Sequence, residues 1–295
     1  MIFLISLVSA CLLGLGFVAQ QHAAYREPLG EILHPRLLLH LIRSRLWLTG
    51  IGLMFAGQVV SAVALYEDDL TKVGPLLATS LLFALTAAHV IYKEHLSRME
   101  WLGAVLVSGG VALFLVFGQP HGGSSPDPDS ARWLAVLLVV MIAAVLVLIG
   151  RRCALQVEAS LLAGAAGILY GVQDVLTRGS LLRLREGTEV LAVSWQPYVL
   201  VGVALVGLLL GQSAFDAAPL RVSLPATTAA EPIVGIVLGI VIFSERVRVT
   251  SGALAGEIIG LVAMVAGIFI LGRSPFLAKS EQAAPPRSEP NPRTR

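Results

Sequence analysis

The sequence predicts an all-α polytopic membrane bundle of about nine transmembrane helices, built as two inverted four-helix repeats with a linking helix. Three observations carry that fold class. Of the 295 residues 56% are hydrophobic and only 14% charged, against about 25% charged in an ordinary soluble domain. The apolar residues fall into nine runs, each near the roughly 20 residues that a helix needs to cross the hydrocarbon core of a bilayer. The second half of the chain also repeats landmarks of the first at a nearly constant separation.

The runs cover 3–20, 46–66, 72–92, 100–118, 133–150, 160–177, 192–212, 223–243 and 252–272. They are rich in Leu, Val, Ile, Ala and Gly without period-2 alternation, which selects helices over the alternating strands of an outer-membrane barrel. The first run holds Val8-Ser9-Ala10-Cys11, a stretch like a lipoprotein processing site. No Lys or Arg precedes it, however, and the apolar stretch continues through Leu12, Leu13, Phe17 and Val18, so it reads as a retained span. Residues 26–45 intersperse Leu and Ile with His34, Arg36, His40 and Arg43, the pattern of an interfacial helix or a partly embedded segment. After Gly272 the chain turns polar and rich in proline, with Pro285, Pro286, Pro290 and Pro292, and reads as a disordered tail. The expected divisions are a first repeat at 1–118, a loop and linking helix at 119–150, a second repeat at 151–272 and the tail at 273–295.

A formal charge of +2 with scattered arginines argues against a nucleic-acid partner. Cys11 and Cys153 provide neither a disulfide framework nor a zinc-ligand spacing. With the amino terminus outside, the inner side collects Arg26, Arg36, Arg43, Arg45, Lys93, Arg98, Arg151, Arg152, Arg221 and five tail cations, 14 of the 21 Lys and Arg. That bias predicts a multi-pass protein of the plasma (inner) membrane with a cytoplasmic carboxy-terminal tail.

The repeat is read from ordered matches. Gly14 and Gln20-Gln21 recur as Gly167 and Gln173-Asp174, 153 residues on, and Gly57-Gln58 recurs as Gly211-Gln212, 154 on. Pro75 pairs with Pro232, and Glu100, Gly103 and Gly110 pair with Glu257, Gly260 and Gly267, all at 157. Seven ordered matches at one drifting offset indicate duplication. The single crossing at 133–150 between the repeats turns the second upside down relative to the first, and solute sites in such proteins lie near mid-membrane between the halves.

Gln58, Pro75 and Gly110 in the first half, with Gln212, Leu224-Pro225-Ala226, Glu231-Pro232, Ser244-Glu245 and Gly267 in the second, resemble the drug/metabolite transporter superfamily in its EamA-like sense. The resemblance covers almost the whole membrane region and implies a secondary transporter of a small solute working by alternating access. Members of that superfamily usually have five-plus-five helices, and each half here lacks one span. The nine-span count is closer to the NIPA-type magnesium transporters of the same fold, which implies Mg2+ or another cation as the alternative cargo.

Polar groups inside the runs mark the candidate site. Glu231 lies within 223–243, where an ionised carboxylate costs at least ~2.5 kcal/mol and so must face protein, water or an ion. Pro232 and Pro225, with Thr227 and Thr228 beside them, are expected to loosen or break that helix, as Pro75 would in the first half, and to free carbonyls for a cation or proton. Gln20, Gln21, Gln173, Asp174, Gln58 and Gln212 form symmetric sets. Singly the amides suit interhelical hydrogen bonding; together they would line a shared cavity. Asp174 is the member expected to meet a cation, with Tyr170 one turn before it. Glu100 and Glu257 sit in the first turns of their helices and read as interfacial. Glu94 and Glu245, beside Lys93 and Arg246, read as solvated loop charges, and His89 as a polar interface residue. Gly103, Gly109, Gly110, Gly235, Gly239, Gly260 and Gly267 are spaced for close helix packing.

No His-Glu-x-x-His metal motif, phosphate-binding loop or Ser-His-Asp set is present, so an enzyme or an ATP-driven pump is not expected. Glu67-Asp68-Asp69 reads as a solvated turn. No cofactor is expected. The expected partners are the lipid bilayer and a small-molecule or ion substrate, with a homodimer left open; a membrane sensor or assembly partner that binds without transporting is the remaining alternative.

Overall fold

Apolar runs of Leu, Val, Ala and Gly satisfy their backbone polar groups internally only as helices once water is absent, and helices are what the chain forms. A computed structural model of the protein describes residues 2–26, 32–67, 76–118, 133–243 and 250–273. The helices are α1 (Ile2–Ala24), α2 (Pro35–Leu41), α3 (Arg45–Glu67), α4 (Ser80–Tyr92), α5 (Arg98–Gly118), α6 (Leu134–Gly150), α7 (Leu155–Glu186), α8 (Thr188–Val193), α9 (Gln196–Ala217), α10 (Leu220–Phe243) and α11 (Ser251–Gly272). Six of them, α1, α5, α7, α9, α10 and α11, are long and apolar enough to span a bilayer. The pair α2 and α3, bent by 91°, is long and apolar enough only when taken together; α4 and α6 are shorter apolar helices of 13 and 17 residues. Over the described residues, each run read from the sequence falls largely on helix, that at 192–212 with a break at 194–195.

The bundle wears its apolar side chains outward as well as inward. Leu138, Leu148, Val262 and Val265 are each more than 60% exposed, a surface that only lipid tolerates. Within the bundle the halves repeat one packing plan. α1 packs on α3 and α4, and α7 packs on α9 and α10, while α5 and α11 pack against each other between the halves. Gly16 meets Met54, and Gly57 meets Leu13, so α1 and α3 are antiparallel; Gly207 meets Leu169, and Gly211 approaches Ala166, so α7 and α9 are too. α4 runs with α1, through Gly14 on Ser80 and the His22 ring stacked 3.7 Å from Tyr92. α10 likewise runs with α7, through Gly167 on Thr227 and Gly171 on Glu231.

The central seam shows how the halves are related. A Cβ on Gly110 would lie 2.6 Å from the Gly260 carbonyl oxygen, and one on Gly267 would lie 2.6 Å from that of Gly103. Gly103 and Gly260 are repeat equivalents, as are Gly110 and Gly267, each pair 157 apart. Each glycine therefore meets the equivalent of the other, which is the signature of a two-fold axis. Position 103 meets 267 while 110 meets 260, so α5 and α11 run in opposite directions. Equivalent helices of opposite sense make the halves inverted. Each half also carries a short helix between its first two long ones, α2 in the first and α8 in the second.

The register differs from the sequence matches at one element. Gly14 meets Ser80 and Phe83 as Gly167 meets Thr227 and Ala230, so α4 corresponds to α10 at an offset of 147 (227 − 80 and 230 − 83). Glu231 then has Ala84 as its counterpart (231 − 147), and Pro232 has Leu85 (232 − 147). Proline in an apolar run is common enough to align by chance, whereas glycine in a tight contact is not replaceable. Pro75, Ser244, Glu245, Asp68, Asp69, the chain from 274 and part of 26–45 lie outside the described residues.

Two ends of the bundle can be distinguished. At the Arg221 end lie the last turns of α1, α4 and α9 and the first turns of α3, α5 and α10, with α2 folded beneath them. There Leu37, Leu41 and Trp47 join Leu81, Leu85, Phe215, Leu220 and Leu224 in one buried cluster. At the opposite end the Trp133 and Trp195 rings meet edge to face at 4.7 Å, and the Arg178 guanidinium lies 4.7 Å over the Phe243 ring.

Candidate functional site

Glu231 sits half-buried near the middle of α10, at a close contact between α7 and α10. A Cβ on Gly171 would lie 2.7 Å from the Glu231 carbonyl oxygen. One turn on, Gly235 leaves room for Asp174 of α7, whose Oδ2 lies 4.0 Å from where a Cβ would stand. The two glycines thus bring two carboxylates onto facing stretches of adjacent parallel helices, about one turn apart. Asp174 faces outward from the protein's own packing, and Gln173 is half-buried. The Tyr170 hydroxyl donates to the Gly207 carbonyl at 3.2 Å, which fixes its ring against α9.

The prolines do not break α10. The helix is continuous from Leu220 to Phe243 with Pro225 and Pro232 inside it. Each proline lacks one N–H and leaves a carbonyl four residues back without its helical donor, those of Arg221 and Thr228, and neighbouring helices hold such a helix together in a membrane. Thr227 donates to the Ala163 carbonyl at 2.9 Å and so ties α10 to α7, while Thr228 donates back to Leu224 at 2.9 Å within its own helix.

The amides divide. Gln212 Nε2 donates to Gln20 Oε1 at 2.6 Å, Trp47 Nε1 donates to Gln212 Oε1 at 3.0 Å, and Gln20 reaches Met54 Sδ. With Phe17 edge-on to Phe215 at 6.4 Å, this buried chain joins α1, α3 and α9 across the halves near the Arg221 end. Gln21 is also buried, at 3% exposure. Gln58, the repeat equivalent of Gln212, is exposed on α3. One position of that set is interhelical glue and the other faces away, so the symmetric amides do not line one cavity.

A second polar assembly was not legible as such in the sequence. Arg221, in the first turn of α10, places Nε 2.9 Å from Glu100 Oε1 and Nη1 3.8 Å from Glu94 Oε2. Glu100 and Arg221 are 5% and 9% exposed, and Asp216, the penultimate residue of α9, is fully buried. Glu100 is therefore a buried charge and not a solvated interfacial one, while Glu94 is half-buried. Glu100 also closes a capping box: its carboxylate accepts from Ser97 N, and Ser97 Oγ accepts from Glu100 N at 3.3 Å. The signal available in the sequence was the position of Asp216 and Arg221 relative to the helix dipoles. An anion in a last turn and a cation in a first turn are each at the unfavourable end, so tertiary partners must hold them there. Burial pushes the Glu94 carboxyl above its ordinary pKa, with Arg221 pulling it back and Glu100 adding to the rise. Burial, then Glu94, raise the Tyr25 phenol just beyond α1, Arg221 opposing and Asp216 adding. Beside this assembly a cavity of about 260 Å³ is lined by His89, Val90, Lys93, Glu94 and His95, and His89 Nδ1 lies 2.6 Å from the Glu94 carbonyl oxygen.

Carboxylates at mid-bundle are tolerated where helices enclose a path for solute or ion, and with halves of opposite sense they put this chain in the class of multi-pass membrane transporters with inverted repeats. Comparison with known proteins supplies the family. The chain belongs to the EamA-like transporter family, whose family model matches residues 1–116, and it is a membrane transporter of the drug/metabolite type. An uncharacterised protein of Corynebacterium glutamicum is 30% identical over 273 residues, 92% of this chain and 94% of that protein. A probable 4-amino-4-deoxy-L-arabinose-phosphoundecaprenol flippase subunit ArnE of Pseudomonas fluorescens is 35% identical over 112 residues, 37% of this chain and 94% of that protein. No solved structure matches.

Proposed function

We propose that this chain is a secondary transporter that moves a small, amine-bearing solute across the inner membrane by alternating access, with Glu231 and Asp174 as the pair that binds the cationic group. The observation that carries the reading is the placement of these two carboxylates one turn apart at the Gly171 and Gly235 contacts of α7 and α10. Two acids one turn apart within a membrane bundle need a counter-charge, and an ammonium or a proton provides it. The probable ArnE relative supports the class through the cargo in its name, which carries a 4-amino group. In this reading the amino terminus is outside, the Arg221 end is cytoplasmic, and the halves rock about the α5–α11 seam.

A NIPA-type Mg2+ transporter would use the same two acids. Mg2+ demands near-octahedral oxygen coordination and keeps several of its waters, so a single carboxylate pair suits an organic cation better. A proteoliposome flux screen decides: amines, amino acids and Mg2+, each with and without a pH gradient. Flux of an amine that Glu231→Gln abolishes, with the variant inserted and monodisperse, is the expected result. Mg2+ flux would move the reading to the cation branch, and binding without flux for every solute would make the chain a sensor. Full flux in Glu231→Gln would remove the pair from the mechanism.

A further inference from the structure

The buried charges at the Arg221 end play no part in the mid-bundle site. They lie where one pathway mouth of a two-sided transporter must close. We propose that Arg221, Glu94 and Glu100 are an ionic gate that holds this end shut in the resting molecule and releases when the site opens toward it. The inference rests on the alternating-access reading and adds to it which end is closed and by what.

Four observations carry it. First, the pairs bridge the halves: Glu94 and Glu100 follow α4 in the first half, and Arg221 opens α10 in the second, with contacts of 3.8 and 2.9 Å. Motion of one half against the other must stretch them. Second, neither Asp216 nor Arg221 serves its own helix, each lying at the end whose dipole opposes its charge. Third, the same end is sealed by the Gln20–Gln212–Trp47 chain and the Phe17–Phe215 contact, while Asp174, past mid-bundle toward the other end, faces outward.

The fourth is an asymmetry in an otherwise symmetric molecule. The repeat equivalent of Glu100 is Glu257, 157 residues on, and it is half-buried with Oε1 lacking a hydrogen-bond partner among the described residues. At the 147 offset the sequence position that matches Arg221 is 74 (221 − 147), a glycine. Among the described residues Glu257 has no ion-pair partner, so the two ends differ at this acid. A buried ion pair is weak evidence for stability but suits a two-state switch, since its charges must be either paired or hydrated.

The test reads access, not flux. In full-length protein with Cys11→Ser and Cys153→Ser, Ser223→Cys places a thiol two residues inward of Arg221, at a position with no exposed surface. A membrane-impermeant maleimide is applied to right-side-out and inside-out vesicles. Labelling from the Arg221 side should be slow with the network intact and with Arg221→Lys, and at least roughly tenfold faster in the neutral triple variant Glu94→Gln/Glu100→Gln/Arg221→Gln, as a shifted two-state equilibrium requires. Should the triple variant not fold, Glu94→Gln alone decides, because it keeps the 2.9 Å pair and should still label faster than the parent. Labelling indifferent to these changes, or already fast in the parent, overturns the gate. Flux that continues with indifferent labelling sinks the gate alone, whereas responsive labelling with no solute moved sinks the transport reading and leaves a gated cavity.

Discussion

Glu94 shows how burial and a partner divide control of one carboxyl. Burial raises its pKa above the ordinary value, Arg221 opposes the rise, and Glu100 adds to it. A folded-state pKa above the unfolded one contributes stability that is present below the ordinary carboxylate range and lost as pH rises through the raised value. The groups facing Glu94 are Arg221 on α10, Glu100 on α5, and Tyr25 beyond α1, with His89, Lys93 and His95 around the adjoining cavity. Glu94→Gln should therefore melt with a flatter pH dependence as pH rises through and above the ordinary carboxylate range, the parent losing stability relative to the variant as pH rises. Parallel melting curves in detergent would show that burial does not raise the Glu94 pKa. At this scale the sequence was readable where a charge interrupts an apolar run, as at Glu231, and unreadable where charges sit at run ends. Arg221 counted there as a topology marker and Glu100 as an interfacial acid, because nothing local reveals that two residues 121 apart (221 − 100) meet at 2.9 Å.

Helices were the most legible scale, since composition alone decides which segments can cross lipid. Their interruptions were not. Within the run at 72–92 a turn at 78–79 precedes α4, which starts at Ser80, residues 35–41 meet α3 at 91°, and α10 continues through two prolines that were expected to break it. Each depends on what neighbouring helices supply to freed backbone groups. Glycine spacing was legible as packing without saying which glycines pack. Gly110 has the Gly260 carbonyl 2.6 Å from its missing Cβ, whereas its neighbour Gly109 has nothing within 4 Å. Gly110→Ala forces two backbones apart and should destabilise by about 1–3 kcal/mol, the usual range for overpacking. Gly109→Ala meets open space and should be neutral or stabilising by up to about 1 kcal/mol through helix propensity. The same melting temperature for both variants would mean that α5 and α11 do not approach through this seam.

At the scale of the whole molecule the duplication was visible in the sequence because tight glycine contacts tolerate no substitution, and that constraint preserved Gly103, Gly110, Gly260 and Gly267 at one offset. Inversion makes a sharper demand than duplication. The short helices α2 and α8 occupy equivalent positions, each between the first and second long helices of its half, and inverted halves must present them on opposite membrane faces. Arg43, just past α2, and Glu189, in α8, are both exposed, so a cysteine at either should react without disturbing a contact. With Cys11 and Cys153 replaced by serine, Arg43→Cys is expected to label with an impermeant maleimide from one face and Glu189→Cys from the other. The positive-inside bias assigns the inner face to Arg43. Labelling of both from one face would make the halves parallel, and with them would fall the two-fold seam between α5 and α11 on which the rocking motion depends.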